Sequence, residues 1–204
     1  MSGKAERTTQ FIIETVAPIF NKHGYIGTSM SQLTEATGLT KGAIYGNFEN
    51  KLALALSAFE YNRNLLLSEL DRVIQGDEKA VDQLFGLLHF YRHYDAFTMT
   101  MGGCPLVNVG VDAQNNNSAL AAAAKETVKE IESRIAKILD RGTQRGEFRI
   151  PLPPLQFAKQ FFTILQGGVV MATLTRDRKY LINTVSYLEH LTRKELKINS
   201  APSR

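Results

Sequence analysis

The chain contains one cysteine, Cys104, in 204 residues. A disulfide framework within the chain is therefore excluded, and a reducing compartment is expected. No uninterrupted apolar run reaches the roughly 18 residues of a membrane span. The polar start, Met1-Ser-Gly-Lys-Ala-Glu-Arg7, has no apolar segment of signal-peptide type behind it. A cytoplasmic protein with no membrane partner is the expectation. Nothing alternates with period two for any length and no internal repeat is present, so the fold class predicted is all-α. No Ser-His-Asp constellation, phosphate loop or paired-carboxylate site occurs. The sequence thus predicts no enzyme and no cofactor. What remains is 44% hydrophobic and 22% charged, an ordinary soluble globular composition, with length enough for a buried core and one or two domains.

The net charge is +4, which permits a nucleic-acid partner without showing one. In residues 1–51, Lys4, Arg7, Lys22, Lys41 and Lys51 face Glu6, Glu14, Glu35 and Glu49. The positive excess lies instead from Arg176 onward. Bulk charge therefore carries no DNA argument.

Helical punctuation does better. Ile12, Val16, Ile19 and Phe20 form one apolar stripe of a helix from about residue 7 to His23, with Pro18 expected to bend its last turn and Gly24 to end it. Ser29-Met-Ser-Gln32 fits a capping box opening a short helix whose face is Met30, Leu33, Ala36 and Thr37. Gly38 breaks it, and Thr40 caps a third helix, Lys41 to about Phe48. Asn50 caps a long one bearing Leu52, Ala55, Leu56, Phe59, Leu66 and Leu70. Gly76-Asp77 punctuates, and a helix follows from about Lys79 to Tyr94. Met101-Gly-Gly-Cys-Pro-Leu106 is irregular at its start, then short and apolar. Asn115-Asn-Asn-Ser118 reads as a loop, with Ser118 capping a long helix to about Arg145. A turn region, Gly146 to Pro154, precedes two apolar helices, Leu155 to about Leu174 and Lys179 to Leu196, and a frayed tail from Asn199 to Arg204.

Two short helices joined at Gly38 and packed under a preceding helix form a helix-turn-helix pattern. The residues make it specific. The run from Phe20-Asn-Lys-His-Gly-Tyr25 through Thr28-Ser-Met30 and Leu33-Thr-Glu-Ala-Thr-Gly-Leu-Thr-Lys-Gly-Ala-Ile-Tyr-Gly-Asn-Phe48, then Asn50-Lys51, closely resembles the DNA-binding domain of TetR-family bacterial transcriptional regulators. Weaker support comes from Gly142-x-x-x-Gly146-Glu147-Phe148-Arg149. The resemblance implies about nine helices and a homodimer. It implies a helix-turn-helix domain over 1–50 and an effector-binding and dimerisation domain over 51–204. The implied function is a ligand-responsive regulator, a repressor released from a palindromic operator in double-stranded DNA by a small-molecule or electrophile effector. A helical ligand-binding or interaction module that has lost operator binding is the alternative.

Two glycines, Gly42 and Gly46, sit inside the expected reading helix at a cost of roughly 1 kcal/mol each relative to alanine. With Ile44 and Phe48 turned inward, the outer face carries Lys41, Gly42, Ala43, Tyr45, Gly46 and Asn47. Short residues let that backbone approach bases or phosphates, and Gly42 and Ala43 could offer main-chain N–H groups. Asn47 can read adenine, and Lys41 guanine or phosphate. The resemblance implies phosphate contacts for Tyr45 and Lys51, while Thr28 and Thr40 complete the DNA-facing set. A frayed helix start at Gly42 and a bend at Gly46 are the alternative. Many relatives carry a bulky residue at Gly46, so this chain departs from the family there.

The resemblance also implies an effector pocket, assigned to Phe59, Phe85, His89, Phe90, His93, Tyr94, Phe97, Met101, Cys104, Phe162 and Gln166. Ordinary core is the alternative for each. His89 and His93 have metal-compatible spacing but no third ligand nearby, so no metal is expected. Cys104 begins a short helix, where a thiolate is favoured. It reads either as an electrophile or oxidant sensor or as a small buried hydrophobe. The apolar stripes Phe157, Phe161, Leu165, Gly168, Met171 and Ala172, with Leu181, Val185 and Leu188, predict a four-helix dimer seam, Gly167-Gly168 permitting close approach; a monomer that buries both faces is the alternative.

Overall fold

Residues 3–75 and 78–196 are described in a computed structural model, and among them the regular structure is ten helices with no strand. They are α1 (Lys4–Gly27), α2 (Met30–Thr37), α3 (Lys41–Tyr45), α4 (Lys51–Ile74), α5 (Ala80–Arg92), α6 (Tyr94–Met99), α7 (Pro105–Asn116), α8 (Ser118–Gln144), α9 (Pro154–Thr175) and α10 (Lys179–Glu195). The all-α class is as expected, with one helix more than anticipated. The chain leaves helical geometry at His93 (φ −115°, ψ 16°) and then makes the extra short helix α6. The punctuation expected at Gly76-Asp77 and the tail from Asn199 lie outside the described residues.

The helix ends follow local chemistry. Ser29 and Gln32 form the reciprocal capping box, with Gln32 N–H donating to Ser29 Oγ (3.2 Å) and Ser29 N–H to Gln32 Oε1 (2.7 Å). Asn50 Oδ1 accepts from Ala53 N–H at 2.9 Å and caps α4. Gly38 takes the left-handed conformation, φ 66° and ψ 11°, that closes α2 at little steric cost in glycine. Pro18 lies inside α1; the break in helical geometry falls at Gly24 (φ 71°, ψ 176°), beyond which the helix resumes to Gly27. Two boundaries and one helix face differ from expectation. The loop expected at 115–118 is helical through Asn116, and the cap of α8 is Asn117, whose Oδ1 accepts from Leu120 N–H at 3.0 Å, rather than Ser118. Ala36 is exposed, so the inner face of α2 is Leu33 and Thr37. The third helix stops at Tyr45, three residues early.

The described residues divide into two compact units. The first holds the chain up to Leu67 together with Ala96–Val128; the second holds Ser68–Asp95 and the chain from Lys129 onward. Neither boundary falls at residue 50, because α4 and α8 each begin in the first unit and end in the second.

In the first unit α1 packs on α2 and α7, and α2 on α3. Ile12, Val16, Ala17 and Phe20 of α1, Leu33 of α2, and Leu54, Ala55, Ala58 and Phe59 of α4 are buried. In the second unit α10 packs on α5 and α9. Arg92 pairs with Glu189 at 3.0 Å, and the Arg193 guanidinium lies 4.4 Å over the Phe85 ring. Phe90, Tyr91 and Tyr94 cluster, the two tyrosine rings stacking at 4.9 Å. Arg134 donates to Asp71 at 2.7 and 3.1 Å and holds that carboxyl below the usual carboxylate range. No helix among the described residues is long and apolar enough to cross a membrane.

The Gly142-to-Arg149 motif is accounted for within the second unit. A Cβ on Gly142 would lie 2.2 Å from the buried Phe148 ring and 2.8 Å from Ala80. Glu147 accepts from Val81 N–H at 3.3 Å, and Arg149 N–H donates to the Leu196 carbonyl at 2.9 Å. Gly142→Ala should therefore overpack this corner and cost about 1–3 kcal/mol. Thermal denaturation checks it, since each kcal/mol lowers the midpoint of a chain this size by about 2–4 °C.

Candidate nucleic-acid interface

A helix of five residues does not hold itself together in water. α3 stands because its surroundings fix it. Ile44 and Phe48 are buried, at 0% and 7% exposure. Thr40 Oγ1 accepts from Ala43 N–H at 3.1 Å, and Gly46 N–H closes on the Gly42 carbonyl at 2.9 Å. The opposite face, Thr40, Lys41, Gly42, Ala43 and Gly46, is exposed. Tyr45 is half-buried, with Lys41 Nζ 5.8 Å from its ring centre.

Neither glycine of α3 is demanded by the fold. Gly46 sits at φ −70° and ψ −18°, open to any residue. A Cβ there would make ordinary contacts at 3.5 Å, and one on Gly42 would find its nearest neighbour at 4.0 Å. The bare strip is thus a property of the outer surface, not of the packing beneath it.

Four expected DNA contacts change character. Thr28 is buried and its hydroxyl donates to the Gly24 carbonyl at 2.7 Å, so it faces inward. The Ala43 amide is committed to Thr40, leaving the helix start to Lys41 and Gly42. Asn47 is a brace: its Oδ1 accepts from the Thr9 hydroxyl of α1 at 2.8 Å, and its Nδ2 donates to the Ala43 carbonyl at 2.9 Å. Reading adenine with both amide atoms would require releasing both partners. Lys51 Nζ donates to the Tyr25 carbonyl at 2.6 Å and lies 4.6 Å over the Tyr25 ring, where burial lowers its pKa. An ammonium has three donors, so Lys51 keeps two. Thr9 and Tyr25 had no local signature, since each bond joins residues more than 20 positions apart.

The residues expected to bind an effector are divided. Phe59, Phe97, Met101 and Cys104 belong to the first unit; Phe85, His89, Phe90, His93, Tyr94, Phe162 and Gln166 belong to the second. His89 and His93 are exposed and stack edge to face at 5.1 Å, so they offer their rings to solvent. No group of three or more metal-ligating side chains occurs among the described residues. Phe90, Tyr94, Met101 and Phe162 are buried. Gln166 has a buried Nε2 with no acceptor among the described residues. An open cleft of about 850 Å³ in the second unit is lined by charged residues including Asp71, Glu130, Arg134, Lys137 and Arg141. It contains none of the expected set, and a small cavity beside Asn21 and Asn62 contains only Phe59. Cys104 precedes α7 and is 4% exposed, as a small buried hydrophobe would be.

The expected dimer residues mostly face their own protomer. Phe157, Phe161, Leu165, Gly168, Leu181, Val185 and Leu188 are buried within the chain. A side chain with no exposed surface has none to give a second copy. Ala172 is half-buried and Met171 is exposed at 40%. The two neighbouring glycines separate cleanly: a Cβ on Gly168 would lie 2.7–3.0 Å from Thr184 of α10, whereas one on Gly167 would meet nothing within 4 Å.

Comparison with known proteins follows this geometry. Residues 12–58, from α1 into α4, match the family described as bacterial regulatory proteins, tetR family, and residues 80–188 match the tetracyclin repressor-like C-terminal domain. A TetR-family transcriptional regulator from Cytophaga hutchinsonii is 35% identical, with a TM-score of 0.89 over 98% of both chains. A TetR regulator from Chloroflexus aurantiacus J-10-FL is 27% identical, with a TM-score of 0.89 over 95% of this chain and 98% of that one. The HTH-type transcriptional repressor DhaR of Mycobacterium sp. (strain GP1) is 22% identical over 84% of this chain and 85% of its own. With both halves of the chain matched and the helix-turn-helix in place, the chain belongs to the TetR family of bacterial transcriptional regulators.

Proposed function

We propose that this chain is a ligand-responsive repressor whose dimer grips a palindromic operator with α3 and releases it when a small-molecule or electrophile effector binds. Regulators of this family are DNA-binding proteins rather than enzymes, and its repressors bind operator DNA as dimers. In this reading residues 1–50 carry the DNA contact and 51–204 the effector and dimer contacts, and a chromosomal partner places the protein in the cytoplasm. The carrying observation is the exposed strip of α3, bare at Gly42 and Gly46 although the fold requires glycine at neither. A backbone kept naked toward solvent suits close approach to a groove wall. Thr40, Lys41 and Tyr45 flank the strip, and Lys51 adds phosphate contact with its two remaining donors. On the effector side, Phe90, Tyr94 and Phe162 are buried apolar side chains and Gln166 has an amide donor unpaired among the described residues, so a ligand reaches them by opening the second unit. Reaction of an electrophile at Cys104 requires the first unit to open, since the thiol is covered.

For the dimer, the outward stripe of α9 replaces the buried one. Thr163, Gly167, Met171 and Leu174 are exposed at intervals of three or four residues, and Tyr180 and Tyr187 are exposed on α10. These six residues are the proposed seam.

The inward turn of Thr28 and Asn47 favours one competing reading, a module that has lost its operator. Two measurements separate the two, and a third tests the proposed seam. Gly42→Ala and Gly46→Ala should leave stability unchanged or raise it by about 0.4–1 kcal/mol each, while lowering operator affinity; equal affinity with and without the added methyls would remove the strip from the interface. Affinity for duplex selected from host DNA should fall linearly in log–log against salt, and Lys41→Ala should lower that slope by about one. A salt-independent affinity supports the competing reading. Met171→Glu with Leu174→Glu should weaken the dimer at least about tenfold in sedimentation, the equivalent of roughly one buried apolar side chain.

A further inference from the structure

We infer that Asp112 of α7 is a positioning residue for the helix-turn-helix, holding Gly24–Thr28, the kinked end of α1 that acts as the connector to α2. The inference rests on the operator-binding reading and concerns what keeps the two reading helices of a dimer at one separation.

The connector is gripped from two sides. At Gly24 the backbone adopts φ 71° and ψ 176°, a region essentially reserved for glycine. A Cβ at that position would lie 2.5 Å from Asp112 Oδ2, so the carboxylate is seated directly against the bare Cα. Tyr25 N–H donates to the same Oδ2 at 3.2 Å. Its carbonyl accepts from Lys51 Nζ at 2.6 Å, so one residue's backbone is held by α7 on one side and α4 on the other. The Thr28 hydroxyl, donating to the Gly24 carbonyl at 2.7 Å, closes the loop on itself. Asn116, one turn along α7, donates to Asp112 Oδ1 at 3.2 Å and orients the carboxylate.

The loop that leads into α7 reaches α1 as well. Asn21 Nδ2, one turn before the connector, donates to the carbonyls of Met101 and Gly103 at 2.6 and 2.7 Å, just ahead of the α7 start. The last turns of α1 are thereby fastened at two points. Asp112 is not part of the apolar core beneath α3, which is Ile12, Val16, Leu33, Ile44 and Phe48. Removing its carboxylate takes away an orientation constraint and leaves that core intact. A dimer on DNA needs its two heads about 34–36 Å apart, so a connector free to swivel blurs the separation without altering what each head reads.

The test uses full-length protein and a two-half-site duplex selected from random DNA by the wild type, with the spacer lengthened and shortened by one base pair. For Asp112→Ala the penalty for a wrong spacer should shrink about tenfold, the equivalent of one hydrogen bond to a charged group, with half-site sequence preference unchanged. Asp112→Asn keeps the shape and an oxygen acceptor for Tyr25 N–H, and should restore most of the spacing penalty. An equal loss at all spacings, or no change at any, overturns the inference while leaving the operator reading standing. Failure of the wild type to select any duplex overturns that reading and the inference with it. Should Asp112→Ala not fold, amide exchange in the wild type decides: Tyr25 N–H should be as protected as the core amides of α1, and rapid exchange there sinks the proposal.

Discussion

The outward face of α3 depends on the burial of two side chains, Ile44 and Phe48. A single helical turn has almost no stability of its own, because nucleation fixes several residues for one hydrogen bond. Burying these two apolar groups, together with the Thr40 cap, supplies what the backbone cannot. Their burial also decides orientation: with residues 44 and 48 inward, residues 41, 42, 43 and 46 have nowhere to point but out. The bare outer strip and the apolar anchor are two sides of one constraint.

The first unit is stitched by buried amides as much as by apolar packing. Asn21 joins α1 to the Met101–Gly103 loop, and Asn62 of α4 donates to the Ala17 carbonyl at 3.1 Å. Each such bond contributes only about 1 kcal/mol net, yet leaving a buried carbonyl unmatched costs more. They therefore act on specificity of packing, pinning which turn of α1 meets which partner. The close seats around α1 follow the same logic. A Cβ on Gly102 would lie 2.4 Å from the Pro18 carbonyl, so the loop can approach the helix backbone only because that residue has no side chain.

Much of the fold could be read in advance. The capping box at Ser29–Gln32, the caps at Thr40 and Asn50 and the break at Gly38 stand where local chemistry puts them, because each depends on bonds spanning two to four residues. The stripe Ile12, Val16 and Phe20 is buried, as periodicity requires. The candidate site was read less completely. Its outward residues Lys41, Gly42 and Gly46 emerged from the helical wheel, whereas Asn47 and Thr28 passed for surface donors. The partner of Asn47, Thr9 across 38 positions, is invisible to a wheel, and the Thr28 bond back to the Gly24 carbonyl lies across the kink that Gly24 makes in α1. In the second unit the apolar stripes are mostly buried within the protomer: an apolar face announces that something covers it, not whether the cover comes from the same chain. Gly168 against Thr184 and Gly167 in open space look identical in the sequence.

By itself, the order of residues determined the long helices, the caps at Ser29, Thr40 and Asn50 and the inward anchors of α3, since periodicity and capping act over one or two turns. Only the tertiary structure decided which polar groups remain outside, which apolar face of α9 and α10 is spent within the protomer, and how Asp112 and Lys51 clamp Tyr25 between them. Those outcomes depend on atoms brought together from distant parts of the chain. A hydrogen bond or a steric seat exists only at a few ångströms, a distance that spacing along the chain does not encode.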